Sequence, residues 1–259
     1  MHTALNCCYK NTFISVSKFL ITTGSHETEI IDLSVTNDYQ CFRWSDRPYN
    51  VRGAVGGLID NTPLVCGGEF KDFEGKYHTL GECHSLSRQK STLITNMSYK
   101  TKFAASIVLN GTTLWITGGI TGGFNGWIDD ETLAFTEYIT LQGVDIGPEM
   151  PQPLSHHVIL GLNSTFSMIT GGRSFDYDLS GLTFFFDHGL QEWTNGPNMI
   201  EARFDHAAGI VTDKVSEEQI MVVTGGMGGV NYWLILSTTE VFFENQWFSG
   251  KNLPVTVNE

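Results

Sequence analysis

The chain has 259 residues, of which 41% are hydrophobic and 17% are charged, and its formal net charge is −13. So acidic a chain is a poor candidate for binding nucleic acid, because that affinity depends on Lys and Arg neutralising phosphates. No apolar run approaches the roughly eighteen residues of a membrane-spanning helix, so we predict no membrane insertion. The low share of charged residues is typical of strands that are buried on both faces.

Residues 1–9 precede any recognisable pattern, and we interpret them as a tail or a remnant strand. They lack the long apolar segment of a signal peptide, so either the protein is cytosolic or its true beginning lies upstream.

From residue 10 onward, one motif recurs at intervals of about fifty residues, which predicts a repeat architecture. An apolar, β-branched run ends in two glycines, as in Trp115-Ile116-Thr117-Gly118-Gly119. The full copies end at Gly67-Gly68, Gly118-Gly119, Gly171-Gly172 and Gly225-Gly226, and a degenerate earlier copy ends at Gly24.

Each copy is the second strand of a predicted hairpin. In the clearest case, the first strand covers 103–109 and Asn110-Gly111 forms the turn, which is the strongest short signal for a β-hairpin. Asp60-Asn61 and Asn163-Ser164 are the equivalent turns. A third strand follows after a variable loop, and the fourth strand carries an aromatic residue: Trp44, Trp193 or Trp247. Each repeat is therefore predicted to be four antiparallel strands.

This pattern over about residues 10–253 resembles the kelch repeat. The resemblance implies an all-β fold, a β-propeller with about five visible four-stranded blades, or a truncated six-bladed ring. We place the propeller at 10–254, with blades at about 10–47, 50–98, 101–150, 153–199 and 202–254. We expect the paired glycines to permit close backbone approach where the strands of neighbouring blades crowd together.

The loops that follow the glycine pairs are long and differ between repeats, and they combine aromatic rings with carboxylates. Such loops on a rigid scaffold are typical of recognition surfaces. The predicted partner-binding residues are Phe70, Asp72, Phe73, Tyr77, Phe124, Trp127, Asp129, Asp130, Arg173, Phe175, Asp176, Tyr177, Asp178 and Tyr232. Packing of these rings between blades is the alternative for each of them.

These features predict a non-enzymatic binding module for a protein with a basic or neutral surface, with a glycan as another partner class. The alternative is an enzyme of the galactose-oxidase-like or sialic-acid-epimerase type, for which Tyr77, His78 and Cys83 are candidates by composition alone. No cofactor and no metal are expected, because no histidine spacing resembles a zinc site. His156-His157, Arg203 and His206 recur at one place in their repeats, which favours a structural role.

Five cysteines cannot all pair within one chain. Cys66 and Cys83 fall on neighbouring predicted strands, so a disulfide or two buried thiols are both open interpretations. Sequons for N-glycosylation occur at Asn96, Asn110 and Asn163. Together these features favour an extracellular protein, with a cytoplasmic location as the alternative.

Overall fold

The computed structural model describes residues 50–87, 89–122, 130–174, 178–212, 219–229 and 234–256, together with the backbone of 12–15, 18–22, 28–32 and 41–44. Throughout these residues the regular structure is β-strand, without a helix. The described part of the chain therefore has no helix that could span a membrane. The chain divides into two compact units, Met1–Glu131 with Phe135–Gly147, and Thr132–Ala134 with Pro148–Glu259.

The strands that precede Pro148 are β1 (Thr12–Ser15), β2 (Lys18–Thr22), β3 (Thr28–Asp32), β4 (Cys41–Trp44), β5 (Val51–Arg52), β6 (Val55–Ile59), β7 (Thr62–Cys66), β8 (Glu69–Lys71), β9 (Tyr77–Thr79), β10 (Glu82–Leu86), β11 (Ser91–Asn96), β12 (Ala105–Leu109), β13 (Thr113–Thr117), β14 (Ile120–Thr121), β15 (Glu131–Thr132), β16 (Thr136–Ile139) and β17 (Val144–Gly147).

The strands of the second unit that follow are β18 (Val158–Gly161), β19 (Phe166–Thr170), β20 (Thr183–Asp187), β21 (Glu192–Asn195), β22 (Arg203–Phe204), β23 (Ala207–Thr212), β24 (Gln219–Thr224), β25 (Met227–Gly228), β26 (Leu234–Ile235), β27 (Thr239–Phe243) and β28 (Gln246–Ser249).

Five four-stranded antiparallel sheets account for most of these strands. Sheets one, two and three, in the first unit, are β1-β2-β3-β4, β6-β7-β10-β11 and β12-β13-β16-β17. Sheets four and five, in the second unit, are β18-β19-β20-β21 and β23-β24-β27-β28. In every sheet the spatial order follows the chain order, as in a propeller blade, which confirms the predicted all-β fold class.

Within each unit, the first strands of neighbouring sheets lie side by side. Strand β6 contacts both β1 and β12, and β18 contacts β23. Ser106 Oγ donates to the carbonyl oxygen of Gly56 across the boundary between β12 and β6, at 3.2 Å. The fourth strand of each sheet is correspondingly the outer one, and Ile146 on β17 is 69% exposed.

The second strands of sheets two, three and four form the core because they are covered on both faces. Leu114, Trp115 and Ile116 on β13 are all fully buried, as are Met168 and Ile169 on β19. A strand that is buried on both faces is apolar along its whole length, without polar alternation. This explains why the runs before Gly67, Gly118 and Gly171 are continuously apolar.

In sheets four and five, a tryptophan of the outer strand joins the sheet to the segment that precedes it. Trp193 Nε1 donates to the carbonyl oxygen of Pro148 at 3.2 Å, and Trp247 Nε1 donates to that of Pro197 at 3.0 Å. The buried polar end of each ring is thereby satisfied. For Trp44, only the backbone is described.

The glycine pair makes two close approaches. Gly171 and Gly172 have φ angles of 67° and 99°, which side chains rarely allow. A Cβ on Gly171 would lie 2.6 Å from the carbonyl oxygen of Arg203, in the segment leading into the next sheet. A Cβ on Gly172 would lie 2.6 Å from that of Ser155, which leads into its own sheet. The close backbone approach that we expected at the paired glycines is therefore made against the segments that lead into the sheets.

The loops after the glycine pairs contain structure that the sequence analysis did not predict. Each begins with a short segment that pairs with the lead-in to the first strand of the same sheet. These pairings are the small sheets β5-β8-β9 and β22-β25-β26 and the bridges Lys102↔Ile120 and Ser155↔Arg173. We call this end of each sheet the glycine end, and the end with the turn from first to second strand the turn end.

Candidate functional site

The best-defined projection at a glycine end is the hairpin of β8 and β9 in sheet two, which we call the 69–79 hairpin. Its strands pair Glu69 with Thr79 and Lys71 with Tyr77, and β8 also pairs with β5. The hairpin is thus the outer part of a small three-stranded sheet, which holds it more rigidly than a loop of equal length.

Asp72 organises the tip of this hairpin. Its backbone N–H donates to the carbonyl oxygen of Lys76 at 2.8 Å. Its Oδ1 accepts the backbone N–H groups of Glu74 and Lys76, each at 2.9 Å. A carboxylate that bonds to the chain just after it is a common way to close a tight turn. The turn is therefore held by backbone and side chain together.

The other carboxylate oxygen of Asp72 braces the tip against the hairpin strands. Asp72 Oδ2 lies 2.7 Å from His78 Nε2, and the His78 ring stacks on Phe70 with 5.0 Å between ring centroids. The hydrogen bond from His78 is the main reason that the pKa of Asp72 is below its usual value. Phe70 in turn packs on the buried cluster around Val51 and Val65.

Phe73 stands at the tip with 98% of its surface exposed. A large ring in water on a well-fixed turn has no role in packing this fold, whereas aromatic side chains are frequent anchors of protein interfaces. Tyr77 is more engaged, since the Arg52 guanidinium and the Lys71 ammonium lie 4.9 and 5.2 Å from its ring centroid. Of the four predicted residues on this hairpin, Phe73 is the one whose side chain is almost fully exposed.

A buried ionic network supports the base of the hairpin. Glu69 Oε1 accepts Arg52 Nε at 2.6 Å, and Glu69 Oε2 accepts Lys102 Nζ at 2.8 Å. Lys102 Nζ also donates to Asp130 Oδ1 at 3.1 Å. The side chains of Glu69, Lys102 and Asp130 are at most 5% exposed. Removing one member of such a group leaves an uncompensated buried charge, which typically costs about 3–5 kcal/mol.

This network changes the interpretation of Asp130, which was predicted to face a partner. Its carboxylate instead lies against Lys102 and is nearly inaccessible. Arg52, Glu69 and Lys102 were not identified from the sequence, since an isolated charged residue on a strand carries no signal for burial. The hairpin is further joined to sheet three, because Thr79 Oγ1 donates to the carbonyl oxygen of Gly122.

Of the remaining predicted loop residues, two lie in the described part of the chain and the others lie outside it. In the second unit, Arg173 pairs through its backbone with Ser155 and Leu179, and its guanidinium lies 4.8 Å from the Phe204 ring centroid. Asp178 accepts the backbone N–H of Ser174 through its carbonyl oxygen at 3.0 Å. The predicted residues outside the described part of the chain are Phe124, Trp127, Asp129, Phe175, Asp176, Tyr177 and Tyr232.

Two histidines at equivalent places in sheets four and five are buried. Burial lowers the pKa of His157, and that of His206, to about 3. Within the described residues, neither ring nitrogen of His206 has a hydrogen-bond partner. A Cβ on Gly171 would lie 2.5 Å from His206 Cε1, so this ring packs directly beneath the glycine pair. Both side chains therefore act as neutral packing groups.

No group of three or more His, Cys, Asp or Glu side chains in the described ranges has an arrangement that could hold a metal ion. Of the three residues considered for an oxidase, Tyr77 and His78 lie on β9, whereas Cys83 lies on β10. The Cys83 sulfur lies 2.08 Å from that of Cys66, at disulfide distance. The two residues are directly opposite each other on β10 and β7.

The position of this cysteine pair is occupied by threonines in other sheets. Thr170 and Thr183 are directly opposite each other in sheet four, and Thr224 and Thr239 in sheet five. Their hydroxyl oxygens lie 3.4 and 2.8 Å apart. The disulfide thus replaces a cross-strand hydroxyl pair of the repeat, immediately before the glycines.

Comparison with known proteins supports this architecture. No protein-family model matches the chain, and a search of curated proteins finds no match. Among solved structures, the chain is similar to YjhT, with a TM-score of 0.80. The fold is shared. The sequences are 15% identical, and the match covers 95% of this chain and 84% of the YjhT chain. At this identity, the likeness concerns the fold alone.

Proposed function

We propose that this chain is a kelch-repeat β-propeller that acts as a non-enzymatic binding module for a protein partner. The kelch assignment is supported by the recurring glycine pairs, the four-stranded sheets and the tryptophans of the outer strands. The partner has a basic or neutral surface, because a chain with a net charge of −13 repels an acidic one.

Phe73 is the observation that carries this proposal. Its ring is 98% exposed on a turn that Asp72 holds closed. An anchor that is already fixed in place loses little conformational entropy when it is bound, so a larger part of its burial contributes to affinity. Lys71, Glu74 and Lys76 are close to Phe73 in the chain and carry charges of both signs, so they are candidates for the polar rim of the contact.

The experiment places a photoreactive phenylalanine analogue at position 73 and, as a matched control, at position 146. Ile146 belongs to the same unit and is 69% exposed, but it lies on the outer strand of sheet three and not on the 69–79 hairpin. We expect illumination with partner-containing extract to give a discrete covalent adduct from position 73 and none from position 146. For the protein identified in that adduct, Phe73→Ala is expected to weaken binding by roughly thirty-fold, as for an interface anchor of about 2 kcal/mol.

The proposal would be contradicted if both positions gave equal labelling, or if Phe73→Ala bound the partner with unchanged affinity. The binding surface would then lie outside the 69–79 hairpin. Ile146→Ala should leave the affinity unchanged, because its loss alters apolar surface at a different place. This control distinguishes a specific contact at Phe73 from non-specific binding through exposed apolar residues.

A further inference from the structure

Two N-glycosylation sequons lie at turn ends. Asn110-Gly111-Thr112 connects β12 to β13 in sheet three, and Asn163-Ser164-Thr165 lies between β18 and β19 in sheet four. Both asparagines are exposed. Turn chemistry alone favours Asn at such places, so the local surroundings of each side chain decide whether a glycan fits.

The turn at Asn110 is open to solvent on its outer side. Asn110 and Gly111 have φ angles of 50° and 75°, and Thr112 donates its backbone N–H to the carbonyl oxygen of Leu109 at 3.1 Å. A Cβ built on Gly111 meets no atom within 4 Å. The turn is therefore fixed by its backbone, and the Asn110 side chain is exposed to solvent.

Asn163 uses only half of its amide group to hold its turn. Its Oδ1 accepts the backbone N–H groups of Thr165 and Phe166 at 2.7 and 2.8 Å. This leaves Nδ2, the atom that a glycan would occupy, outside the turn hydrogen bonds. A substituent on Nδ2 preserves the cap, since the carbonyl oxygen continues to accept both N–H groups.

The cysteine pair is an independent indication of the compartment. Cys66 and Cys83 are fully buried and lie at disulfide distance. Disulfides form and persist in oxidising compartments such as the endoplasmic reticulum, which is also where sequons are modified. The same chain thus carries a structural disulfide and two sequons with outward-facing asparagines.

We propose that Asn110 and Asn163 carry N-linked glycans. The donor is an oligosaccharide linked to a polyprenyl diphosphate. The bond between its first sugar carbon and the diphosphate oxygen breaks, and a bond from that carbon to Nδ2 forms. Nδ2 loses one proton, and the polyprenyl diphosphate leaves.

The placement leaves the proposed binding surface clear in the first unit. The turn at Asn110 lies beside the turn of sheet two, because the Asp60 backbone N–H donates to the carbonyl oxygen of Gly111 at 2.8 Å. Both turns are at the opposite end of their sheets from the 69–79 hairpin. A glycan at Asn110 therefore covers the turn end, and Phe73 remains accessible.

Asn96, the third sequon, is exposed at the end of β11, on the glycine side of sheet two. The residues that follow it are engaged, since Met97 is buried and the Ser98 backbone N–H donates to Glu137 Oε1 at 2.8 Å. Asn96 therefore lies in a more crowded place than the two turn asparagines.

The test expresses the full chain behind a cleavable signal peptide in a eukaryotic secretory cell. The secreted protein is deglycosylated enzymatically in ¹⁸O-water, which converts each glycosylated asparagine to ¹⁸O-labelled aspartate. Peptide masses are then measured by mass spectrometry. The variants Thr112→Ala and Thr165→Ala remove each sequon but keep the asparagine and its turn. The controls Thr112→Ser and Thr165→Ser keep both sequons.

We expect ¹⁸O-aspartate at positions 110 and 163 in the unaltered chain and in both serine controls, and its loss at one site in each alanine variant. Asn61 is the internal control, because it is also an exposed turn asparagine but has no sequon. Secreted chains with unmodified Asn110 and Asn163, or label at Asn61 to the same extent, would overturn the proposal.

Discussion

Glu137 and Glu240 occupy the same place on the third strands of sheets three and five, yet their carboxylates have different partners. Glu240 accepts Arg203 Nη2 at 2.8 Å and the backbone N–H groups of Ile200 and Glu201 at 2.7 and 3.0 Å. Glu137 accepts Ser98 N–H, but its buried Oε2 has no partner in the described residues. Desolvation therefore raises the pKa of Glu137 above its usual value.

Replacing each glutamate by glutamine should have unequal effects. A raised pKa means that the stability linked to Glu137 is fully present below the unfolded pKa and is lost as pH rises through the folded pKa. We expect Glu137→Gln to unfold at pH 7 with a free energy equal to wild type or up to about 1 kcal/mol higher. Glu240→Gln removes the closer and more buried of the two carboxylates that pair with the fully buried Arg203, the other being Glu201 at 3.4 Å, so we expect a loss of about 3 kcal/mol.

Urea unfolding at several pH values measures both effects. The advantage of Glu137→Gln should grow with pH and vanish below about pH 4, where unfolded glutamates are also protonated. Equal losses in the two variants would show that both glutamates serve only as caps of the preceding segment.

The buried histidines predict acid sensitivity of the second unit. Because the pKa of His157 and that of His206 are lowered to about 3, the unfolded chain binds more protons than the folded one between that value and about 6.5. Their contribution is therefore present above the unfolded pKa and is lost as pH falls. Each histidine adds up to about 1.4 kcal/mol per pH unit within this window.

His206→Leu tests this sign. We expect the unfolding free energy of the variant to depend less steeply on pH between about 4 and 6. The decrease in slope should be about the contribution of one histidine, up to about 1.4 kcal/mol per pH unit. The measurement is urea unfolding followed by the fluorescence of Trp193 and Trp247, which lie in the same unit. An unchanged pH slope would mean that His206 is not neutral in the folded state.

At the scale of elements, the 69–79 hairpin illustrates how a loop becomes a defined surface. Its strands are short, and what fixes its tip is the set of bonds to Asp72 from two backbone N–H groups and His78. Its base rests on the network of Glu69 and Lys102. Stability of the tip is therefore separable from stability of the sheet beneath it.

Substitutions of Asp72 should loosen the tip without unfolding the protein. Asp72→Ala removes both turn bonds, so we expect amide hydrogen exchange at Glu74 and Lys76 to accelerate by about ten-fold, which corresponds to about 1.4 kcal/mol. Asp72→Asn keeps an acceptor for the turn and should give a smaller effect. The global unfolding free energy should change by less than about 0.5 kcal/mol. Unchanged exchange in Asp72→Ala would contradict this role.

The cross-strand cysteine pair is a second device at the element scale. Because threonines occupy its position in sheets four and five, the double variant Cys66→Thr with Cys83→Thr should fold with the same register. It loses the chain cross-link, which for a separation of 17 residues is worth about 3 kcal/mol. Urea unfolding with and without reductant checks this difference. Peptide mapping of non-reduced protein that finds both thiols free would contradict it.

At the scale of the whole molecule, the same four-stranded sheet recurs five times, and the side chains at the glycine end differ between the sheets that follow. Sheet two uses a disulfide beside its glycines, while sheets four and five use hydroxyl pairs. Sheet five buries Arg203 against Glu240, and the small sheet of sheet two rests on Glu69 and Lys102. The common backbone therefore supports local differences, and under the proposed function these differences are where a partner is recognised.

The amino-acid sequence by itself determined the repeat, the four-stranded sheets and the facing cysteines. These features depend on local patterns: continuous apolar runs, turn residues such as Asn110-Gly111, and glycines that allow positive φ. Only the tertiary structure decided that Phe73 is exposed while Phe70 is packed, and that Asp130 is buried against Lys102. Burial depends on which distant segments meet, and an aromatic or acidic loop residue has the same local pattern in either environment.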